Sequence, residues 1–160
     1  MIKTQIREYN NTNSNEYMTF ILGSMRYAIE LPSIREILTY PKLITILPNT
    51  SEYIKGLINL RGQVVSILDI RIKFTNTEAV YNEETIVIAV TTNDDRLIGL
   101  VVDKIEDIKK IDNTLLYPVS NMGSAIPPQY LKGFARLEDS EMLVIMDIDA
   151  ITHKDELLSL

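Results

Sequence analysis

Apolar residues gather along this chain in short runs of strand length, set apart by polar and turn-forming stretches. Residues 16–22 (EYMTFIL), 25–31 (MRYAIEL), 56–61, 64–69, 85–91 (TIVIAVT), 96–103 (RLIGLVVD) and 142–148 (MLVIMDI) each read as a strand, rich in β-branched and aromatic side chains. Turn-formers separate several of them: LGSM, RGQ, TTNDD and EDSE. Helical spacing is scarce. A single turn is expected at Pro32-Ser33, another within PNTSEYIKG, and a terminal helix from an N-cap at Asp149 through AITHKDELL. Residues 1–14, close to the Asn, Thr and Ser of 10–15, read as a mobile tail. Many short strands with few helices predict a barrel or a sandwich.

The pattern also repeats. EYMTFILGSMRYAIELPSIREI (16–37) aligns with EETIVIAVTTNDDRLIGLVVDKIEDI (83–108). YIKGLINLRGQVVSILDI (53–70) aligns with YLKGFARLEDSEMLVIMDI (130–148), matching Tyr53 to Tyr130, Gly56 to Gly133 and Asp69 to Asp147. Self-similarity at this period predicts two copies of one small β unit, each about 70 residues long. Units so small bury too little surface alone, so the two are expected to share a core and leave a groove between them. The expected division is a first subdomain over 15–75, a second over 76–148 and a terminal helix over 149–160.

Composition narrows the function classes. With 160 residues, the chain suits one domain or two very small ones. No cysteine is present, so neither disulfides nor thiolate metal sites contribute, and one histidine excludes a His-rich metal cluster. Neither a signal-peptide core nor an apolar run of about 18 residues is found, so a cytoplasmic protein without membrane insertion is expected. A net charge of −6 argues against nucleic acid as the partner. Nucleotide-binding glycine motifs and a nucleophile elbow are missing. His153 lies in a polar stretch, and Glu83-Glu84, Asp94-Asp95 and Glu138-Asp139 lie in turns, where adjacent acids do not converge on a substrate. Met142 and Met146 read as core filler. No enzyme, metal or cofactor is expected.

Arg61 stands apart. It follows the apolar run Leu57, Ile58, Leu60 and precedes Gly62 and the run Val64, Val65, Ile67, Leu68. A guanidinium is seldom buried without a partner. Either Arg61 is neutralised inside the fold, by Glu36 or Asp69, or a rigid frame holds it for something else to find. Asp69 itself reads as a structural cap on the turn into IRIKF. Gly56 and Gly99 read as backbone requirements, and Ile34, Ile86 and Val87 on sequence alone as core residues.

The block YIKGLINLRGQVVSILDIRIKF, with SIREI upstream and LIGLVVDKIEDI downstream, resembles the CheW-like domain family of bacterial chemotaxis coupling proteins. Its markers are the Lys-Gly-x-x-Asn-Leu-Arg-Gly core, then Asp-x-Arg and Gly-x-x-Val-Asp, and the similarity runs from about Tyr17 to the terminal helix. The resemblance implies two small five-stranded barrels, similar to SH3 barrels, packed together. It also implies an adaptor that links chemoreceptor cytoplasmic tips to the regulatory domain of the histidine kinase CheA. The positions matching the family's receptor contacts are Ile34, Glu36, Arg61, Ile86 and Val87, and Gly56 and Gly99 match glycines at which the family's function is sensitive. The segment SNMGSAIPPQY (120–130) departs from any fixed motif. Two other classes compete. A small barrel for single-stranded nucleic acid needs exposed aromatics among basic residues, whereas Tyr17, Phe20, Tyr27 and Phe74 have apolar neighbours in sequence. A small-molecule or catalytic barrel needs converging polar groups.

Overall fold

The computed structural model describes residues 14–75, 79–119, 126–138, 141–154 and 157. Ten strands carry the fold: β1 (Ser14–Leu22), β2 (Met25–Glu30), β3 (Ile34–Thr39), β4 (Ile54–Leu60), β5 (Gln63–Asp69), β6 (Ile86–Thr91), β7 (Leu97–Val102), β8 (Lys104–Asp112), β9 (Leu131–Arg136) and β10 (Met142–Met146). Two short helices, α1 (Ile70–Thr75) and α2 (Ile148–Ile151), follow β5 and β10. The expected tail lies almost wholly outside the described residues, as does most of 120–130 and of the terminal segment.

The strands form two five-stranded sheets of the same design. One runs β8-β1-β2-β10-β9 and the other β3-β6-β7-β5-β4. In each, a hairpin (β1–β2 or β6–β7) occupies the centre, with one parallel neighbour: β2 beside β10, β7 beside β5. The duplication read from the sequence therefore exists, but its halves trade hairpins. The β1–β2 hairpin of the first repeat completes the sheet of the second, and β6–β7 returns the exchange. The second sheet is contiguous, 34–102, and the first is assembled from 14–30 and 104–146. A cut near residue 75 is thus corrected to crossings at the 3-10 turn Leu31–Ser33 and at Asp103. Two equivalent hairpins match either partner in hydrophobic pattern, so the repeat alone did not decide which pairing wins.

Each sheet is drawn back on itself by a single bridge. Thr45, beyond β3, exchanges two backbone hydrogen bonds of 2.9 Å with Leu57 of β4, and Tyr117, beyond β8, does the same with Phe134 of β9 at 2.9 and 3.0 Å. The fold is mainly β, two small SH3-like sheets packed together, without a continuous ladder around either one. Alternation then sends side chains to three apolar layers. Tyr17, Ala28, Leu143 and Ile145 fill the inside of the first sheet, and Val65, Ile67, Val87, Ala89 and Val101 the inside of the second. Phe20, Tyr27, Ile29, Leu68, Ile88, Val90, Leu100 and Val144 form the largest layer, shared between the sheets. Strands buried on both faces explain why 85–91 and 96–103 read as unbroken apolar runs.

The local expectations meet mixed outcomes. β3, β8 and β9 were not expected as strands, because REILT and KIEDIKKID alternate with charges that the exposed edge accepts. PNTSEYIKG holds turns and no helix. α2 begins earlier than expected: its cap is Asp147, whose carboxylate accepts from Ala150 N, while Asp149 accepts from Asn93 N.

Candidate protein-binding site

Arg61 and Gly62 are the two loop residues of the β4–β5 hairpin, between the paired Leu60 and Gln63. Their φ values of +51° and +86° make a turn whose central residues are both left-handed. Glycine meets that demand freely, and asparagine well; an arginine there costs about 1 kcal/mol or more. Asn59 Oδ1 accepts from Gly62 N at 2.8 Å and fixes the turn. The guanidinium projects from this tip and meets Glu36 of β3 with two parallel bonds, Nη1 to Oε1 at 2.6 Å and Nη2 to Oε2 at 3.0 Å. The Arg61 side chain is 75% exposed and that of Glu36 22%. Of the two alternatives left by the sequence, the arginine is paired, yet it is not inside. Its partner is Glu36 and not Asp69.

β3 is an edge strand, and its register decides what lies beside the ion pair. Ile34 opposes Val90 while Glu36 opposes Ala89, so one extra residue is accommodated between them. That bulge shifts the alternation, so Ile37, opposite Ile88, shares a face with Ile34. The row continues with Thr39 opposite Ile86. Ile34 and Ile86 are half-buried at opposite ends of the β3–β6 pair, and Ile37 is 43% exposed between them. Glu36 and Leu38 point to the other face, toward the hairpin tip. A partner lying along this edge would meet an apolar row on one side and the ion pair on the other. Ile37 was missed in the sequence, where a regular alternation from Ile34 places it on the wrong face.

Val87 sits beneath this surface. It is fully buried with Val65, Ile67 and Ala89, so its side chain offers nothing directly, and its place among the contacts is corrected to a supporting one. Gly99 lies over it: a Cβ there would come within 2.8 Å of Val87 Cγ1 and 2.7 Å of Ile67 Cδ1. Gly56, at φ +138°, lets β4 approach the closing segment, since a Cβ would strike the Thr45 carbonyl oxygen.

Asp69 is fully buried at the end of β5. Its Oδ1 accepts from Arg71 N and Nε, both at 3.0 Å, and its Oδ2 from Arg71 Nη2 at 2.8 Å and from the Tyr81 hydroxyl. The pair starts α1 and ties the 79–85 segment to the second sheet. Burial raises the Tyr81 pKa well above that of a free phenol, and the hydrogen bond to the Asp69 carboxylate adds to the shift.

A second surface adjoins the first. Where β3 and β4 are joined only through Thr45 and Leu57, an open groove of about 940 Å3 runs between Leu38, Leu43, Ile44, Ile58, Leu60 and Val64. Leu43 and Val64, which line it, are 89% and 67% exposed, and Ile46, next to the lining residue Thr45, is 80% exposed. Of the aromatics weighed for a nucleic-acid barrel, Tyr17 and Tyr27 are 2% exposed and Phe20 is 0%, while Phe74 is half-buried against the shared core. Among the described residues, no cluster of three or more metal-binding side chains occurs, and no helix is long and apolar enough to cross a membrane.

The comparisons with known proteins agree on one family. The model of the CheW-like domain matches residues 16–156. The chemotaxis protein CheW of Klebsiella aerogenes is 32% identical over 146 residues, 91% of this chain and 86% of that protein. A probable chemotaxis protein CheW of Rhizobium etli is 25% identical over 146 residues, 91% and 92% of the two chains. The crystal structure of the scaffolding protein TtCheW from Thermoanaerobacter tengcongensis superposes with a TM-score of 0.78 at 22% identity, covering 94% of this chain and 96% of that one.

Proposed function

The chain belongs to the CheW-like domain family, and on that premise we propose that it is a non-catalytic cytoplasmic adaptor of chemotaxis signalling. It couples chemoreceptor cytoplasmic tips to the regulatory domain of a CheA-type histidine kinase. The observation that carries this reading is Arg61, an exposed guanidinium held in a left-handed hairpin turn that asparagine or glycine would occupy with less strain. Strain retained at an exposed turn favours a role in contact over one in stability.

The receptor site is the β3 edge. A receptor tip is a helical hairpin, and one helix laid along this edge would rest its apolar face on Ile34, Ile37 and Ile86. Arg61, oriented by Glu36, would supply donors in a fixed fork at the margin. Gly56, Gly99 and Val87 keep the edge in place without touching the partner. The kinase site is the neighbouring groove with Leu43, Ile46 and Val64, which suits the apolar end of another small β-barrel. Two adjacent surfaces on one rigid sheet would bring receptor and kinase together.

Co-elution of the purified chain with a receptor tip fragment and with the kinase regulatory domain, separately and as a ternary complex, tests the reading. Failure to bind either one would defeat it.

A further inference from the structure

Resting on the adaptor reading, we infer that Asn59 is a positioning residue of the receptor site: it holds the left-handed turn of Arg61 and Gly62, and so sets the affinity for the receptor tip without touching it. Arg61 needs a support at each end. Glu36 fixes the guanidinium through the bonds at 2.6 and 3.0 Å. The root of the side chain is fixed by the backbone, where a φ of +51° is strained for a residue with a Cβ. Left to itself, such a turn relaxes toward conformations that point the side chain elsewhere. The hydrogen bond from Gly62 N to Asn59 Oδ1, at 2.8 Å, opposes that change. Both backbone dihedrals of Arg61 lie between its two ends, so rotation about either one draws donor and acceptor apart. Asparagine ordinarily serves a turn of this kind from inside, at the left-handed position. Here it stands in β4, opposite Val64, and arginine takes the strained place.

The repeat shows that the sheet itself does not require this arrangement. The alignment that matches Gly56 to Gly133 sets Arg136 against Asn59 and Glu138 against Arg61. β9 and β10 pair as β4 and β5 do, yet their connection runs from 137 to 141, and Leu137 N donates to Glu141 O at 2.8 Å to close it. The hairpin of the second repeat thus forms with neither the asparagine nor the arginine. Asn59 is exposed and belongs to none of the three apolar layers. Asparagine is also a poor strand former, so this side chain serves the turn and not the sheet. Apparent affinity falls with the fraction of molecules that hold the competent conformation. One neutral hydrogen bond shifts such a fraction by about fivefold.

A double-mutant cycle separates positioning from a direct or a purely structural role. Affinity for a soluble helical-hairpin tip fragment of a bacterial chemoreceptor is measured for the intact chain, Asn59→Ala, Arg61→Asn and the double variant. The kinase domain is left out, because Asn59 also lines the apolar groove. Thermal unfolding checks that each variant is folded. Positioning predicts that Asn59→Ala raises the Kd about fivefold in the intact chain. It predicts a rise of less than about twofold once Arg61→Asn has removed both the strain and the guanidinium. A change of less than about twofold in the intact chain, or the same loss in both backgrounds, would overturn the inference, as would an Asn59→Ala chain that does not fold. Absence of wild-type binding would instead remove the adaptor reading, and an Arg61→Asn chain that binds as tightly as wild type would remove the receptor site. In either case the inference falls with the reading beneath it.

Discussion

Gly56 and Gly133 hold the same place in the two sheets, each where a closing segment crosses a strand. A Cβ on Gly56 would strike the carbonyl oxygen of Thr45, and one on Gly133 would come within 2.7 Å of that of Tyr117. Gly56 opposes Ile67 and Gly133 opposes Ile145, at matched points of the β4–β5 and β9–β10 pairs. The residues that follow them, Leu57 and Phe134, make the two bridges. The close approach is therefore a property of the repeat unit.

Gly56→Ala is expected to cost about 3 kcal/mol, since it combines a backbone clash with a left-handed φ. For a chain of this size that lowers the thermal midpoint by about 9 °C. Gly133→Ala, which meets the clash without the positive φ, is expected to lose about 2 kcal/mol. Calorimetry on the two variants checks the order as well as the size of the effects.

Asp69→Ala removes the hydrogen-bonded carboxylate of the Arg71 guanidinium, which is 8% exposed, and leaves it only the half-exposed Asp103 carboxylate at 3.8 Å and the Val80 carbonyl. Breaking a buried pair from one side costs about 3–5 kcal/mol, so urea unfolding should show a strongly lowered midpoint. Loss of receptor binding in this variant would follow from the fold, which distinguishes Asp69 from the exposed Arg61.

The Tyr81 hydroxyl supplies a pH signature. Its pKa is raised in the folded state by burial and by the hydrogen bond to Asp69, so the fold keeps a proton that the unfolded chain releases. That stabilisation is fully present below about pH 10, the ordinary phenol value, and is lost as the pH rises above it. Tyr81→Phe is expected to cost about 1 kcal/mol at pH 7 and to flatten the alkaline decline. Burial raises Tyr17 and Tyr40 as well, so part of the decline remains in the variant. Unfolding free energies between pH 8 and 11 measure both effects.

Leu43→Asp tests the kinase surface. Leu43 is 89% exposed, so stability should change by less than about 0.5 kcal/mol. Affinity for the kinase regulatory domain should fall at least tenfold in a titration, about 1.4 kcal/mol, because a charge is placed in the centre of the apolar patch.

Much of the fold was legible because the strands buried on both faces, β6 and β7 above all, leave an apolar signature in which Gly99 is the one residue without an apolar side chain between Ile86 and Val90 and between Leu97 and Val102. The matched Tyr53/Tyr130 and Asp69/Asp147 positions also reappear as equivalent backbone bonds, Asp69 N to Tyr53 O at 2.7 Å and Asp147 N to Tyr130 O at 2.8 Å. The hairpin exchange was not legible, since it depends on which of two like surfaces each hairpin meets. At the candidate site, the pairing of Arg61 with Glu36 was among the alternatives legible in the sequence, and its geometry was not. Arg61 announced itself as a cation between apolar runs, but its left-handed turn needed the register of Leu60 and Gln63. The bulge after Ile34 hid Ile37, because a shift of one residue changes the face of everything beyond it.

Arg61→Asn puts the central claim to its most direct test. Asparagine tolerates the left-handed turn, and the exposed Arg61–Glu36 pair contributes at most about 1 kcal/mol, so stability should stay within about 1 kcal/mol of wild type. Affinity for the receptor tip should fall by about 2 kcal/mol, roughly thirtyfold, as expected for the loss of an interface anchor. An Arg61→Asn protein that binds the tip as tightly as wild type, or one that fails to fold, would contradict the account.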